Sequence, residues 1–299
     1  MRPTLFRMQS PSFTRFGDLP PASPVVMSVP HAGRDYPPAL REALRVPFDT
    51  VVALEDRHID IVATRARTVE TMIVQTRARA WIDLNRSEAE RDPRVDEGAN
   101  PMAQPQPSAK LRSGLGLVPR RAAAAPDLWR RRFTDADISS RIANDHRPYH
   151  DAVHDALAAA QARFGIAILL DVHSMPPLSA AGVPGGSPPR IVLGDRFGRS
   201  ADPRFLACLE AEIADTGLPF ARNAPYAGGH ILERHARPTT GIHAIQLEFD
   251  RSLYLDRQFD GLGTGVDATV RLLKALLTAL TNEALAMGAS ATTRAAAAE

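Results

Sequence analysis

The chain has 299 residues, 36 basic against 34 acidic side chains, a formal net charge of +2, and one cysteine, Cys208. One cysteine excludes an internal disulfide and a Cys-rich zinc site, and no apolar run approaches the roughly 18 residues of a membrane span. The N-terminal stretch lacks the apolar segment of a secretory signal, and the one tight basic run, the three arginines at 130–132, offers nucleic acid no extended footprint. A soluble, cytoplasmic, globular protein with no membrane or nucleic-acid partner is expected.

In chain order, Val25–Val29 is an apolar run stopped by Pro30, the pattern of a buried strand. From 48 to 69 apolar residues recur at helical intervals (Val51, Val52, Ile59, Val62, Ala63, Ala66), which predicts helix over most of that stretch. Residues 72–74 and 80–84 read as strands. Residues 88–126 lose all periodicity among Pro, Gly, Ala, Arg and Gln and read as a long surface insertion and candidate lid. Helix is predicted over 135–164, kinked or divided at Pro148. Strands at 166–170 and 190–193, a helix at 202–214 and a strand at 241–249 follow. An amphipathic helix over 266–285 carries Val270, Leu273, Leu276, Leu277 and Leu280, and an Ala-rich tail, 286–299, ends the chain. Strands separated by helices predict one α/β domain over 1–285, three layers (α/β/α) around a central mixed, mostly parallel sheet.

Three of the predicted strands end in polar residues for which a core has no use. The first runs into His31, the fourth, at 166–170, into Asp171 and His173, and the last into Glu248, Asp250 and Arg251. Ligand crevices of open α/β sheets lie beyond the carboxyl ends of strands. Two histidines brought to such an edge, with a carboxylate, match the protein half of a catalytic zinc site. Glu55, Asp56 and Asp60, at an expected helix start, are the candidates for that carboxylate. Each residue also has a plain structural reading: a hydrogen-bonded loop histidine, a solvated helix start, a Glu248–Arg251 surface pair. The joint occurrence at three strand ends favours the metal. His146, His150 and His154 repeat every four residues, but Pro148 interrupts the turn; they read as packing and capping, with His150 alone placed to line the site. No Walker loop or G-x-G-x-x-G follows a strand, so no phosphate cradle is expected. Cys208 lies in an apolar helical stretch and reads as core.

Six motifs occur in order: Ser28-Val-Pro-His-Ala-Gly33, Asp56-Arg-His-Ile-Asp60, Ile82-Asp-Leu-Asn-Arg86, Asp171-Val-His-Ser174, Asn223-Ala-Pro-Tyr-Ala-Gly-Gly-His230 and Gln246-Leu-Glu-Phe-Asp-Arg251, the last followed by Leu253-Tyr254. Over about residues 23–257 the chain resembles the N-formylglutamate amidohydrolase family, itself similar in fold and single zinc site to zinc carboxypeptidases and aspartoacylases. The resemblance implies a hydrolase fold of that phosphorylase/hydrolase-like kind. It also implies His31, Asp56 and His173 as ligands of one Zn²⁺, with Glu55 the alternative to Asp56; another divalent metal suits the same donors. Glu248 would be the general base, with Asp171 behind a ligand. Asn85 and Arg86 would hold a substrate carboxylate, a role for which a guanidinium fork is suited, unless Arg86 pairs with Asp83 instead. Arg251 would be the second cation for a dicarboxylic substrate. Tyr226, Gly228, Gly229 and His230 would form a substrate loop in which His230 polarises the scissile carbonyl. The best-known members carry Thr-Asp-Trp-His where this chain has Glu55-Asp56-Arg57-His58, an extra acid and an arginine beside the expected metal.

The activity so implied is metal-dependent hydrolysis of the amide C–N bond of an N-formyl or N-acyl acidic amino acid, foremost N-formyl-L-glutamate to formate and L-glutamate, at the end of histidine degradation. Hydrolysis of another N-acyl amino acid or small peptide is the alternative. A catalytically silent binding protein ranks last, because binding alone has no need for Glu248.

Overall fold

The computed structural model describes residues 12–103, 106–122, 125–179 and 187–296. Its strands are β1 (Phe13–Phe16), β2 (Val25–Val29), β3 (Thr71–Gln75), β4 (Ala167–Met175), β5 (Ile191–Gly194), β6 (Phe220–Arg222) and β7 (Ile242–Asp250). Its helices are α1 (Pro38–Ala43), α2 (Phe48–Val52), α3 (Ile59–Ala66), α4 (Ala109–Arg112), α5 (Asp135–Arg141), α6 (Arg147–Phe164), α7 (Pro203–Ala214), α8 (His230–His235) and α9 (Val266–Ala296). The strands form one sheet in the order β1-β3-β2-β4-β7-β5-β6. Pairings through β3, β2, β4 and β7 are parallel, as is β5–β6, while β1 and β5 join antiparallel to β3 and β7.

Alternation along the central strands builds the layers. Val25, Met27 and Val29 of β2 pack on one face with Val62 of α3, Phe205 of α7 and Leu273 of α9. Val26 points to the other face, against Tyr149 and Leu157 of α6 and Ile231 of α8. β2 and β4 are buried along their whole length, as parallel strands covered on both sides must be, and each therefore opens on an apolar run, residues 25–27 and 167–170, that lasts until its first polar residue, Ser28 or Asp171. The expected mixed, mostly parallel three-layer fold is present. Among the described residues no helix is long and apolar enough to cross a membrane.

Four expectations need correction. The helix predicted over 48–69 is two short helices, α2 and α3, separated by a turn that holds Glu55 and Asp56; His58 enters α3 with φ 60°, a left-handed conformation that no helix interior tolerates. Residues 80–84 form turns instead of a strand, although Ala80, Ile82 and Leu84 are buried. The described part of 88–126 is not a surface insertion: Val95, Leu111, Leu117 and Val118 are buried, most of them in the α6-side core. The last helix passes 285 and continues to Ala296. Pro148, by contrast, does divide the helical stretch as expected. It occupies the first turn of α6, where its missing N–H is not needed, and a π turn at Ile142–His146 links α5 to α6.

Candidate metal centre and substrate cavity

Period-two geometry lays a polar stripe across the sheet on the α6 side. Asp171 and His173 share a face of β4, as Gln246 and Glu248 share a face of β7. The parallel register sets Asp171 beside Ser28 and Gln246, and His173 beside Glu248. His31 follows β2, and its carbonyl accepts a 2.9 Å hydrogen bond from the Asp56 N–H, which brings the α2–α3 turn to the same edge.

Three donor atoms converge there. His173 Nδ1 lies 3.1 Å from both His31 Nδ1 and Asp56 Oδ2, and His31 Nδ1 lies 3.6 Å from that same oxygen. Each outer ring nitrogen faces a buried carboxylate: His31 Nε2 is 2.7 Å from Asp83, and His173 Nε2 is 2.8 Å from Asp171. The tautomer that serves both carboxylates puts the proton on Nε2 and leaves the lone pair of each Nδ1 aimed at the other donors. Two lone pairs and a carboxylate oxygen at these separations repel unless a positive charge sits among them. The same demand appears in the ionisation equilibria. Burial opposes charge on His173, yet Asp171 and Asp56 hold its pKa well above the ordinary imidazole value. Burial would likewise raise Asp56, yet His173 and His31 hold it well below the ordinary carboxylate value. A divalent cation meets that demand, and two imidazoles with one carboxylate are a donor set it accepts. His31, Asp56 and His173 thus form a candidate metal-binding group.

Glu55 does not compete. Its carboxylate accepts from Tyr36 Oη and pairs with Arg57 at 2.9 Å, beside a separate surface depression. The extra acid and arginine therefore lie outside the main cavity. Asp56 is instead gripped by Arg251, whose Nη2 reaches Asp56 Oδ1 at 3.3 Å and the Glu55 carbonyl at 2.5 Å. Arg251 lines the cavity but is already paired with Asp56.

The donor atoms open on a cavity of about 300 Å³, the size for a small metabolite. Glu248 lines it and is 6% exposed, with Oε1 accepting a 2.9 Å hydrogen bond from Gln246 Nε2. Burial, reinforced by Asp56 and relieved in part by His173 and Arg79, pushes its carboxyl up to about 7. Arg86 lines the same space, its Nε donating to the Leu115 carbonyl at 2.8 Å. The Arg86–Asp83 ion pair considered from sequence is absent: Asp83 pairs with Arg79 at 2.9 Å and with His31. Burial would raise Asp83, but Arg79 and His31 outweigh it and hold the carboxyl well below its usual range. Asn85 is a strut more than a free amide. It donates to Gln246 at 3.3 Å and accepts from the Ile231 N–H at 3.0 Å, tying the Asp-Leu-Asn-Arg turn to β7 and α8.

Tyr226, Gly228 and Gly229 line the cavity. Gly228 has φ +100°, and a Cβ at Gly229 would collide with the Asn85 amide, so both glycines are required by the loop's own packing. His230 lies elsewhere. Its ring packs on His146 and His150, 6.0 and 5.4 Å away between centres, and does not line the cavity. The expected contact of His230 with a substrate carbonyl is not made by this arrangement. His150 does not line the cavity either. His146 and His150 donate to the carbonyls of Arg86 and Leu84 at 2.8 and 3.0 Å, so they fix the turn carrying Asn85 and Arg86; His154 is exposed. Cys208 is half-buried against the core, with burial raising its thiol to about 11.

Arg79, Gln246 and Lys110, none of them expected in the site from the sequence, also line the cavity. A signal existed for Gln246, which shares the strand face of Glu248. None marked Arg79 or Lys110.

Residues 23–255 match the sequence model of the N-formylglutamate amidohydrolase family. An N-formylglutamate deformylase of Pseudomonas aeruginosa is 30% identical over 270 residues, covering 86% of this chain and 92% of that protein. Its counterpart from Pseudomonas putida is 30% identical over 238 residues, covering 78% and 82%. The crystal structure of an N-formylglutamate amidohydrolase from Ralstonia eutropha superposes with a TM-score of 0.79 at 30% identity, over 93% of this chain and 98% of that one. The Agrobacterium tumefaciens gene product Atu2144, 18% identical with a TM-score of 0.63 over 91% and 96% of the two chains, shares the fold.

Proposed function

Because the chain belongs to the N-formylglutamate amidohydrolase family, we propose that it hydrolyses the amide C–N bond of N-formyl-L-glutamate to formate and L-glutamate, with His31, Asp56 and His173 holding one zinc ion. The observation that carries this reading is the convergence of those three donor atoms beside the buried Glu248 in a cavity that Arg79, Arg86, Lys110 and Arg251 also line. When bound, the ion supplies a Lewis acid for the scissile carbonyl and acidifies water.

The remaining work falls to the chain's own side chains. Glu248 Oε1 is occupied by Gln246, so Oε2 is the atom left to take the proton of the attacking water and deliver it to the departing amine nitrogen. Arg86 presents its guanidinium to a substrate carboxylate, braced by the Leu115 carbonyl and by the histidine-held turn on either side of it. Tyr226 and the Gly228–Gly229 backbone shape the cavity wall. Asp171 and Asp83 orient the two imidazoles. Replacement of Asp83 by Asn keeps an acceptor for His31 but removes its charge. Metal affinity, measured by competition with a chelator, is expected to fall roughly 10- to 100-fold; an unchanged affinity would remove Asp83 from the centre.

Formate release from N-formyl-L-glutamate tests the whole reading, with N-formyl-L-aspartate and N-acetyl-L-glutamate alongside. Release is expected to stop on chelation, return with zinc and favour formylglutamate. No release from protein that holds zinc would move the substrate elsewhere.

A further inference from the structure

Four cationic side chains besides the imidazoles line the cavity: Arg79, Arg86, Lys110 and Arg251. Two are neutralised where they stand, Arg79 by Asp83 at 2.9 Å and Arg251 by Asp56 at 3.3 Å. Among the described residues no carboxylate pairs with Arg86 or Lys110. Lys110 is one of only two lysines in a chain with 34 arginines. It enters from the short helix α4 and stays accessible to solvent, its ammonium 5.7 Å from the centre of the Tyr226 ring. Burial, with the like charges of Arg86 and Arg79, pulls its pKa below the ordinary lysine value, against the opposing pull of Glu248 and Asp83.

Two cations that face one small cavity without a carboxylate within pairing distance can between them take two negative charges of whatever fills it. Arg86 is tied through its neighbour Asn85 and then Gln246 to the base Glu248. A carboxylate one carbon from the scissile nitrogen, which must stay near that base, falls to Arg86. The distal carboxylate is left to the other cation, whose long flexible stem comes from a separate segment. We propose that Lys110 is a specificity-determining residue that pairs with the side-chain carboxylate of the substrate and so separates glutamate from glutamine derivatives. This rests on the reading of the cavity as the site of an N-acyl acidic amino acid, and it replaces Arg251 as the second cation.

The test uses zinc-loaded Glu248→Gln protein, in which turnover is blocked, and calorimetric titration with N-formyl-L-glutamate and with N-formyl-L-glutamine. The parent is expected to prefer the dicarboxylate by roughly tenfold or more, the worth of one charge-assisted hydrogen bond. Added Lys110→Met should collapse the preference to about twofold or less, with glutamine-derivative affinity unchanged, and Lys110→Arg should restore most of it. In the active enzyme Lys110→Met should raise KM for formylglutamate by a similar factor and leave kcat nearly unaltered, whereas a merely structural role would lower kcat or the melting temperature. An unchanged preference in Lys110→Met, or none in the parent, overturns the inference. If the wild type releases no formate while the binding preference still follows Lys110, the inference stands and the proposed reaction falls. If formate is released with a KM indifferent to Lys110→Met, the reaction stands and the inference falls.

Discussion

Glu248→Gln is expected to lower formate release roughly 1,000-fold while metal content stays at the wild-type level. Glutamine is isosteric with the glutamate but cannot take up a proton at pH 7. The substitution leaves His31, Asp56 and His173 untouched and keeps an acceptor for the Gln246 amide, so the donor cluster persists. It also removes a charge from a site where burial already raises the carboxyl to about 7, so folding should not suffer. The same property shapes the pH profile. Glu248 acts as a base only when ionised, so kcat/KM should hold above its pKa and fall about tenfold per unit as pH drops below it. A cation on the neighbouring donors favours the ionised form, which places this acid limb at or below about 7. Residual activity of the variant should lack the limb. Retained turnover in Glu248→Gln, or a limb identical in both proteins, would take the base role away from Glu248.

His173→Ala should abolish both metal binding and turnover, because it deletes the donor whose Nδ1 lies 3.1 Å from each of the other two. The loss of affinity is expected to exceed the roughly 100-fold that removal of a supporting partner brings. Stability should suffer as well. His173 is wedged between two buried carboxylates, and among the described residues its removal leaves Asp171 with the Ser28 hydroxyl and leaves Asp56 with His31 and Arg251. Breaking a buried charge pair in this way costs about 3–5 kcal/mol. Thermal melts of the metal-free proteins separate the two effects: the variant should still unfold cooperatively, at a lower temperature, and elemental analysis of the folded fraction should find no zinc. A folded variant that retains zinc would exclude His173 as a ligand.

Much of the site could be read along the chain because its geometry is local. Asp171 and His173 are two residues apart in a strand, as are Gln246 and Glu248, so each pair must share a face whatever else the fold does. The buried strands β2 and β4 announce themselves by the apolar runs on which they open, because both faces of a parallel sheet are covered, and β7 by its alternation. The edge strands do not: β1 has four residues and β6 three, half-exposed and without a long apolar run. Residues 80–84 have a strand-like apolar content and yet form turns, because their backbone groups bond to a remote segment, such as Asp83 N–H to the Leu117 carbonyl at 2.8 Å. Periodicity cannot see a partner 34 positions away.

What the sequence by itself determined is the layered α/β frame and the delivery of His31, Asp171, His173 and Glu248 to one edge of it, since both follow from alternation and apolar runs. What only the tertiary structure decided is which charges meet. Among so many arginines nothing local separates Arg79, Arg86 and Arg251; all three line the cavity, yet one supports Asp83, one is held by Asp56, and Arg86 has no carboxylate partner among the described residues. Glu55 and Asp56 are adjacent in sequence, but only Asp56 reaches the imidazoles, because Tyr36 and Arg57 claim the other. His230 follows two cavity glycines and turns away to pack on His146 and His150, while Lys110, in a stretch without any pattern, arrives beside Tyr226. A charged side chain takes its role from the field and the partners around it, and those are supplied by segments tens to hundreds of residues distant.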